Sequence, residues 1–130
     1  DYITKNFGLV IIDTVTGLYR ARVAESPEKT FELNRELNRH IALLAQIAKT
    51  QKVSVLLTSQ VRNVFDDAHV SIEPVATRVL KFWADTIIAM KPTEDCQIIK
   101  ALLEKSPKKL QPFTVYLKIE KAGIHECLIR

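Results

Sequence analysis

The sequence predicts an α/β protein in which a parallel βαβ unit leads into a mostly antiparallel β meander. Three observations carry that expectation. Leu9 to Ile12 is an unbroken run of large apolar residues, the pattern of a strand covered on both faces in a parallel sheet. Val53 to Leu57, VSVLL, is a second β-rich run, separated from the first by a long stretch of helical periodicity. The rest of the chain carries β-rich segments punctuated by Pro, Asp and Gly, as in strands joined by turns.

In chain order, the first strand runs straight into Asp13, and a turn is expected around Thr14 to Gly17. Ser26-Pro27-Glu28 has the composition of a helix start, with Ser as N-cap, Pro at the first helical position and Glu at the positive end of the dipole. Leu33, Leu37, Ile41, Leu44 and Ile47 or Ala48 then recur at helical spacing, with Glu32, Arg35, Glu36 and Arg39 mostly off that stripe, which places a helix at about 27 to 50. A strand, a long helix and a second strand close into a right-handed unit with the two strands parallel and adjacent. Asp13 and Gln60 then leave the sheet at the same edge, where ligands bind in open parallel sheets.

Residues 61 to 73 mix polar and isolated apolar residues without a period and are expected to form a long loop. Pro74 to Phe82 fits a short helix carrying Arg78 and Lys81, and Trp83 to Met90 a third strand followed by a turn at Pro92-Thr93-Glu94-Asp95. Cys96 to Leu103 and Phe113 to Glu120 fit two more strands across a polar link with Pro107 and Pro112. Glu120-Lys121-Ala122-Gly123 turns the chain into a last strand at 124 to 129.

Composition narrows the function classes. A chain of 130 residues fits one domain, spanning 1–130, and at this size folding buries roughly two-thirds of the unfolded surface. No segment approaches the about 18 consecutive apolar residues of a membrane span, so no membrane partner is expected. A net charge of +4 favours anionic partners such as nucleotides or nucleic acid. The two cysteines, Cys96 and Cys127, lack metal-ligand spacing and suit free thiols in a reducing, cytoplasmic compartment. The chain opens at Asp1 without an initiator Met, a basic leader or an apolar signal segment, and is expected to be a piece of a longer protein.

The chemistry centres on Asp13. A carboxylate at the end of a buried strand is where nucleotide-hydrolysing α/β proteins orient a water of a Mg²⁺ ion that bridges nucleotide phosphates, although Asp is also a good turn residue after any strand. Gln60 has the amide to sense a terminal phosphate and to move the loop behind it, although a strand-end Gln is more often a plain solvated or capping amide. Lys100, Lys105, Lys108 and Lys109 form a basic stretch opposed by Glu104, which suits either DNA or a solvated loop. Phe82 and Trp83 suit a base-stacking pair less well than a core pair. His40, His69 and His125 are scattered and receive no role.

At this point the residues resemble a known family. FGLVIIDTVTGLYR, LNRELNRHIALLAQIAK and VSVLLTSQV, in that order, look like the second half of the ATPase core of the RecA/RadA recombinases, and most like the archaeal RadB paralogues. The resemblance continues through PVATRVLKFWADTIIAM to Lys121-Ala122-Gly123-Ile124 and so covers nearly the whole chain. It implies a partial RecA-like core, with ATP and Mg²⁺ as cofactors of the whole protein. Asp13 matches the Walker B aspartate, with Thr14 beside it at the nucleotide. Gln60 matches the glutamine that senses the nucleotide state. Residues 21 to 29 and 61 to 73 match the two DNA-binding loops, which hold single-stranded DNA through its backbone. The basic residues implied for DNA are Arg20, Arg22, Lys29, Arg62, Arg78 and Lys81.

The departures are as specific as the matches. Ala76-Thr77 stands where recombinases usually carry a Gly-Gly pair, and Phe82 where they carry a His. The first loop lacks a glycine-flanked Arg, and the second sets Asp66 and Asp67 against Arg62, which weighs against strand exchange and for a regulatory, RadB-like role in DNA repair and recombination. The glycines are at 8, 17 and 123, so the chain has no GxxxxGK[ST] phosphate loop and is expected to hydrolyse nothing alone and to bind ATP poorly. In the family's sheet the phosphate-loop strand lies between the strands at 53–58 and 84–90. Those edges must therefore pair with each other, pair with another chain, or stay open. Two other functions fit the same residues: a non-catalytic RecA-fold module that docks on a recombinase, and a KaiC-type or helicase-type RecA-like ATPase. Self-association through the core is the remaining partner expectation.

Overall fold

The computed structural model describes residues 7–60, 73–108 and 111–127. They belong to two compact units, Asp1–Trp83 and Ala84–Arg130.

In the first unit, β1 (Leu9–Ile12) and β2 (Ser54–Leu57) pair in parallel, from Leu9 opposite Ser54 to Ile12 opposite Leu57. This is the adjacency expected of the βαβ unit. The ladder extends at both ends, through Ser54 N–H to Gly8 C=O at 2.9 Å and Thr58 N–H to Ile12 C=O at 3.1 Å. Val10, Ile12, Val55 and Leu57 are half-buried, and Leu57 packs on the helical core. The opposite face is open, with Leu9, Ile11 and Leu56 exposed by 52%, 58% and 52%. Coverage on both faces, expected from the unbroken apolar run of β1, is thus met on one face only among the described residues.

The expected turn at Thr14 to Gly17 is instead the start of α1 (Val15–Glu25). Thr14 lies in extended conformation and its Oγ1 accepts the Gly17 N–H at 3.1 Å, a side-chain N-cap that starts the helix despite its weak helix formers Val15, Thr16 and Gly17. Tyr19 and Val23 then face the core. Residues 21–25 are accordingly helical, and Pro27–Lys29 form a single 3₁₀ turn, so the first DNA loop expected at 21–29 is not an open loop.

Ser26 does not cap by its side chain: its N–H donates to Arg22 C=O at 3.0 Å and closes α1, and its carbonyl accepts from Lys29 N–H at 3.0 Å. The long helix α2 (Thr30–Gln51) therefore begins three residues later than the Ser-Pro-Glu signal suggests, the Pro having started the 3₁₀ turn instead. Leu33, Leu37 and Ile41 form its buried stripe, as their spacing requires. α3 (Glu73–Trp83) packs on the same core through Ala76, Val79, Leu80 and Trp83. Trp83 is thus the last residue of a helix rather than the first of a strand; its indole N–H donates to Asn38 Oδ1 on α2 at 2.9 Å, which holds it there. The loop expected at 61–73 lies outside the described residues up to position 72, and Glu73 already belongs to α3.

In the second unit, β3 (Ile87–Pro92), β4 (Ile98–Lys105), β5 (Thr114–Glu120) and β6 (Gly123–Cys127) form one antiparallel sheet in chain order. Pro92 ends β3, which is an edge strand among the described residues, a position where proline is tolerated. The turn after it is fixed by the Thr93 hydroxyl, which lies 2.9 Å from the carbonyls of both Asp95 and Ile98 and shares its one proton between them, and by Gln97 N–H donating to Asp95 Oδ1 at 2.9 Å. Gly123, at φ +128°, closes the β5–β6 hairpin in a conformation open to glycine. Among the described residues β2 has β1 as its strand neighbour and β3 has β4, so each sheet keeps an open edge.

Candidate functional site

The register of β1 and β2 brings two polar side chains together at the C-terminal end of the parallel pair. Ile12 is opposite Leu57, so the next residues out, Asp13 and Thr58, are neighbours. Thr58 Oγ1 donates to Asp13 Oδ1 at 2.5 Å. The Thr58 backbone brackets the same aspartate, with its N–H on Ile12 C=O and its C=O accepting from Val15 N–H, each at 3.1 Å. Asp13 itself is exposed, and the peptide bond to Thr14 is cis.

Gln60 leaves β2 at this edge, as the topology demands, and its side chain is exposed. Its backbone is tethered to α1 on both sides: the N–H reaches Thr16 Oγ1 at 3.4 Å, and the carbonyl accepts from Arg20 Nη2 at 3.4 Å. Ser59 Oγ also donates to Thr16 Oγ1 at 3.4 Å, and Thr16 is 3% exposed. The first turns of α1 are therefore a polar shelf under the Thr58-Ser59-Gln60 segment.

The donor set fits a particular kind of metal. No group of three His, Cys, Asp or Glu residues among the described ones is placed to cage an ion. Mg²⁺ keeps several waters and takes one or two carboxylates plus substrate phosphates, so an exposed Asp13 with one oxygen held by Thr58 suits an ion that arrives with a nucleotide. The glycines offer no phosphate cradle: Gly17 N–H is used in the α1 cap, Gly8 precedes β1, and Gly123 is in the hairpin. Thr14, implied at the nucleotide, spends its hydroxyl oxygen on that same cap.

The basic residues are not gathered equally. Arg20 is at the site through Gln60. Arg22 is turned to Glu36 on α2 in an ion pair of 2.9 Å. Lys29 is exposed on the 3₁₀ turn, Arg78 and Lys81 are exposed on α3, and Arg62 lies outside the described residues with Asp66 and Asp67. The aromatic pair divides: Trp83 joins the core, whereas Phe82, edge-on to it at 5.0 Å, is 73% exposed. Of the lysine stretch, Lys100 and Lys105 are in β4, Lys108 follows it, and Lys109 is outside the described residues.

Thr58 and Thr16 bond to the candidate residues Asp13 and Gln60 and were not singled out from the sequence. Thr58 had a signal: once the two apolar runs are set side by side in parallel, the polar residue ending each run falls opposite the other. Thr16 had none, because its burial depends on a helix that local propensity does not favour.

The Rad51 family model matches residues 1–127. The DNA repair and recombination protein RadB of Methanococcus maripaludis strain C5 is 34% identical over 123 residues, 95% of this chain and 54% of that protein. The RadB proteins of Thermococcus gammatolerans and Methanocaldococcus jannaschii are 31% identical over 126 residues and 30% identical over 103, covering 95% and 79% of this chain and 53% and 46% of theirs. A crystal structure of the RadB recombinase superposes with a TM-score of 0.65 at 23% identity, over 95% of this chain and 53% of that one, which shows the RecA-like fold. The chain spans about half the length of the curated relatives it matches.

Proposed function

This chain belongs to the Rad51 family, and from that premise we propose that it is the metal-orienting and nucleotide-sensing half of a RadB-like DNA repair and recombination ATPase. The observation that carries the proposal is the shared edge: Asp13 stands exposed at the end of β1, and Gln60 leaves β2 beside it.

ATP with its Mg²⁺ supplies the labile phosphoryl bond and the charge that neutralises the phosphates. Asp13 would hold the metal through a bound water by its carboxylate, and Gln60 would offer its amide to the terminal phosphate, its backbone being tied to Thr16 and Arg20. The chain alone hydrolyses nothing, having no phosphate loop. In the whole protein DNA, single-stranded by preference, would meet exposed cations, with Arg78 and Lys81 the candidates on α3 and Lys29 on the 3₁₀ turn. A recombinase or a second copy is the protein partner, in the cytoplasm, where the free thiols Cys96 and Cys127 stay reduced. Among the described residues no helix is long and apolar enough to cross a membrane.

The test is Asp13→Asn in the full-length protein. The amide keeps the shape and removes the charge, so Mg²⁺-dependent ATP turnover is expected to fall by about a hundredfold or more. Undiminished turnover would remove Asp13 from the metal and sink the ATPase reading of this edge.

A further inference from the structure

We propose that Thr58 is the positioning residue for Asp13, fixing which carboxylate oxygen faces the metal and tying that oxygen's placement to the Gln60 segment. The inference rests on the ATPase reading above and adds a residue to it.

Three bonds make the case. Thr58 donates its hydroxyl to Asp13 Oδ1, gives its N–H to Ile12 and takes the N–H of Val15, so it holds the backbone on both sides of the aspartate as well as its side chain. An exposed aspartate at a strand end ordinarily samples several rotamers. Here one oxygen is committed to a charge-assisted hydrogen bond, and among the described residues no protein donor is recorded on Oδ2. That oxygen is the one left for a metal-bound water. A hydroxyl serves this purpose better than a cation, since it orients the carboxylate without neutralising the charge that the metal needs.

The placement of Thr58 also joins the two halves of the site. It lies two residues before Gln60, whose N–H and carbonyl are both bonded to α1. A shift of the Thr58-Ser59-Gln60 strand end, as a sensing amide gains or loses its phosphate, would therefore move the hydroxyl that holds Asp13.

The experiment uses the full-length protein with Thr58→Val and Thr58→Ser, read by ATP turnover and by binding of a fluorescent ATP analogue as Mg²⁺ is titrated. Val keeps the β-branched shape that suits a strand end and loses only the hydroxyl. The expected result for Thr58→Val is about a tenfold drop in kcat and a several-fold higher half-saturating Mg²⁺, with the KM for ATP at saturating Mg²⁺ little changed. Thr58→Ser should stay within about twofold of the parent in both readouts, because it restores the hydroxyl. If Thr58→Val matches the parent while Asp13→Asn is dead, Thr58 positions nothing and the ATPase reading survives. Equal losses in Val and Ser variants would assign Thr58 a packing role instead and overturn the inference. Turnover that persists in Asp13→Asn would bring down both.

Discussion

Tyr19 shows how a single side chain ties α1 into the fold that carries the site. It is 6% exposed among Val23, Leu33, Leu37 and Ile41, and its hydroxyl donates to Asn34 Oδ1 on α2. Burial pushes its phenol pKa above the ordinary value near 10, since a phenolate would be charged in an apolar setting. The folded state therefore holds this proton more tightly than the unfolded chain. The resulting stability is fully present below the unfolded pKa and is lost as pH rises through the folded one. Urea unfolding of the chain at a series of pH values should show stability falling above about pH 10, and Tyr19→Phe should flatten that fall. At neutral pH the same substitution should cost about 1 kcal/mol, as Asn34 loses its donor. An unchanged alkaline slope in Tyr19→Phe would move the titration elsewhere. On β5 the Glu120 carboxylate, bonded at 2.8 Å, raises the pKa of Lys118, and the Lys118 ammonium lowers that of Glu120, but both stand in solvent and add little.

Elements differ in how far they are decided locally, and α2 contains both extremes. Its stripe of Leu33, Leu37 and Ile41 is pure periodicity, whereas its end is forced: Lys52 sits in the left-handed region at φ 55°, with ψ 38°. A side chain there costs energy that glycine avoids, partly offset by the greater freedom glycine gives the unfolded chain. Lys52→Gly should raise stability by about 0.5 kcal/mol in urea unfolding, and Lys52→Ala, which keeps the Cβ, should not. The same contrast explains what could be read from the sequence. β1, β2, α3, β4 and β5 were legible because apolar runs and periods reflect burial directly. α1 was not, because a Thr14 cap and contacts from distant residues outweigh the weak propensities of Val15, Thr16 and Gly17. Trp83 looked like a strand residue by type and became a helix end through one bond to Asn38, 45 positions away in sequence. At the candidate site, the shared-edge placement of Asp13 and Gln60 was legible from the ends of the runs, while the bonds from Thr58 and Thr16 needed the register and the helix shelf to appear.

At the scale of the whole molecule, charge decides how a chain of this composition would meet an anion such as the DNA proposed above. The net charge is +4, and several cations are already engaged: Arg22 with Glu36, Lys118 with Glu120, and Arg20 with the Gln60 carbonyl. Arg78 and Lys81, three residues apart on α3, are exposed on the side away from Ala76, Val79, Leu80 and Trp83, and so share one surface. If both contact phosphates of single-stranded DNA, each releases counterions, and each contributes about −0.7 to the slope of log affinity against log salt. The full-length protein titrated with labelled single-stranded DNA over a range of salt should therefore lose affinity steeply as salt rises. The double variant Arg78→Gln, Lys81→Gln should bind more weakly and show a slope shallower by about 1.4. A double variant with lower affinity and the parent's slope would mean that α3 acts on DNA indirectly, through the fold. A parent whose affinity ignores salt would exclude phosphate contacts altogether and leave docking on a recombinase as the way this family member enters recombination.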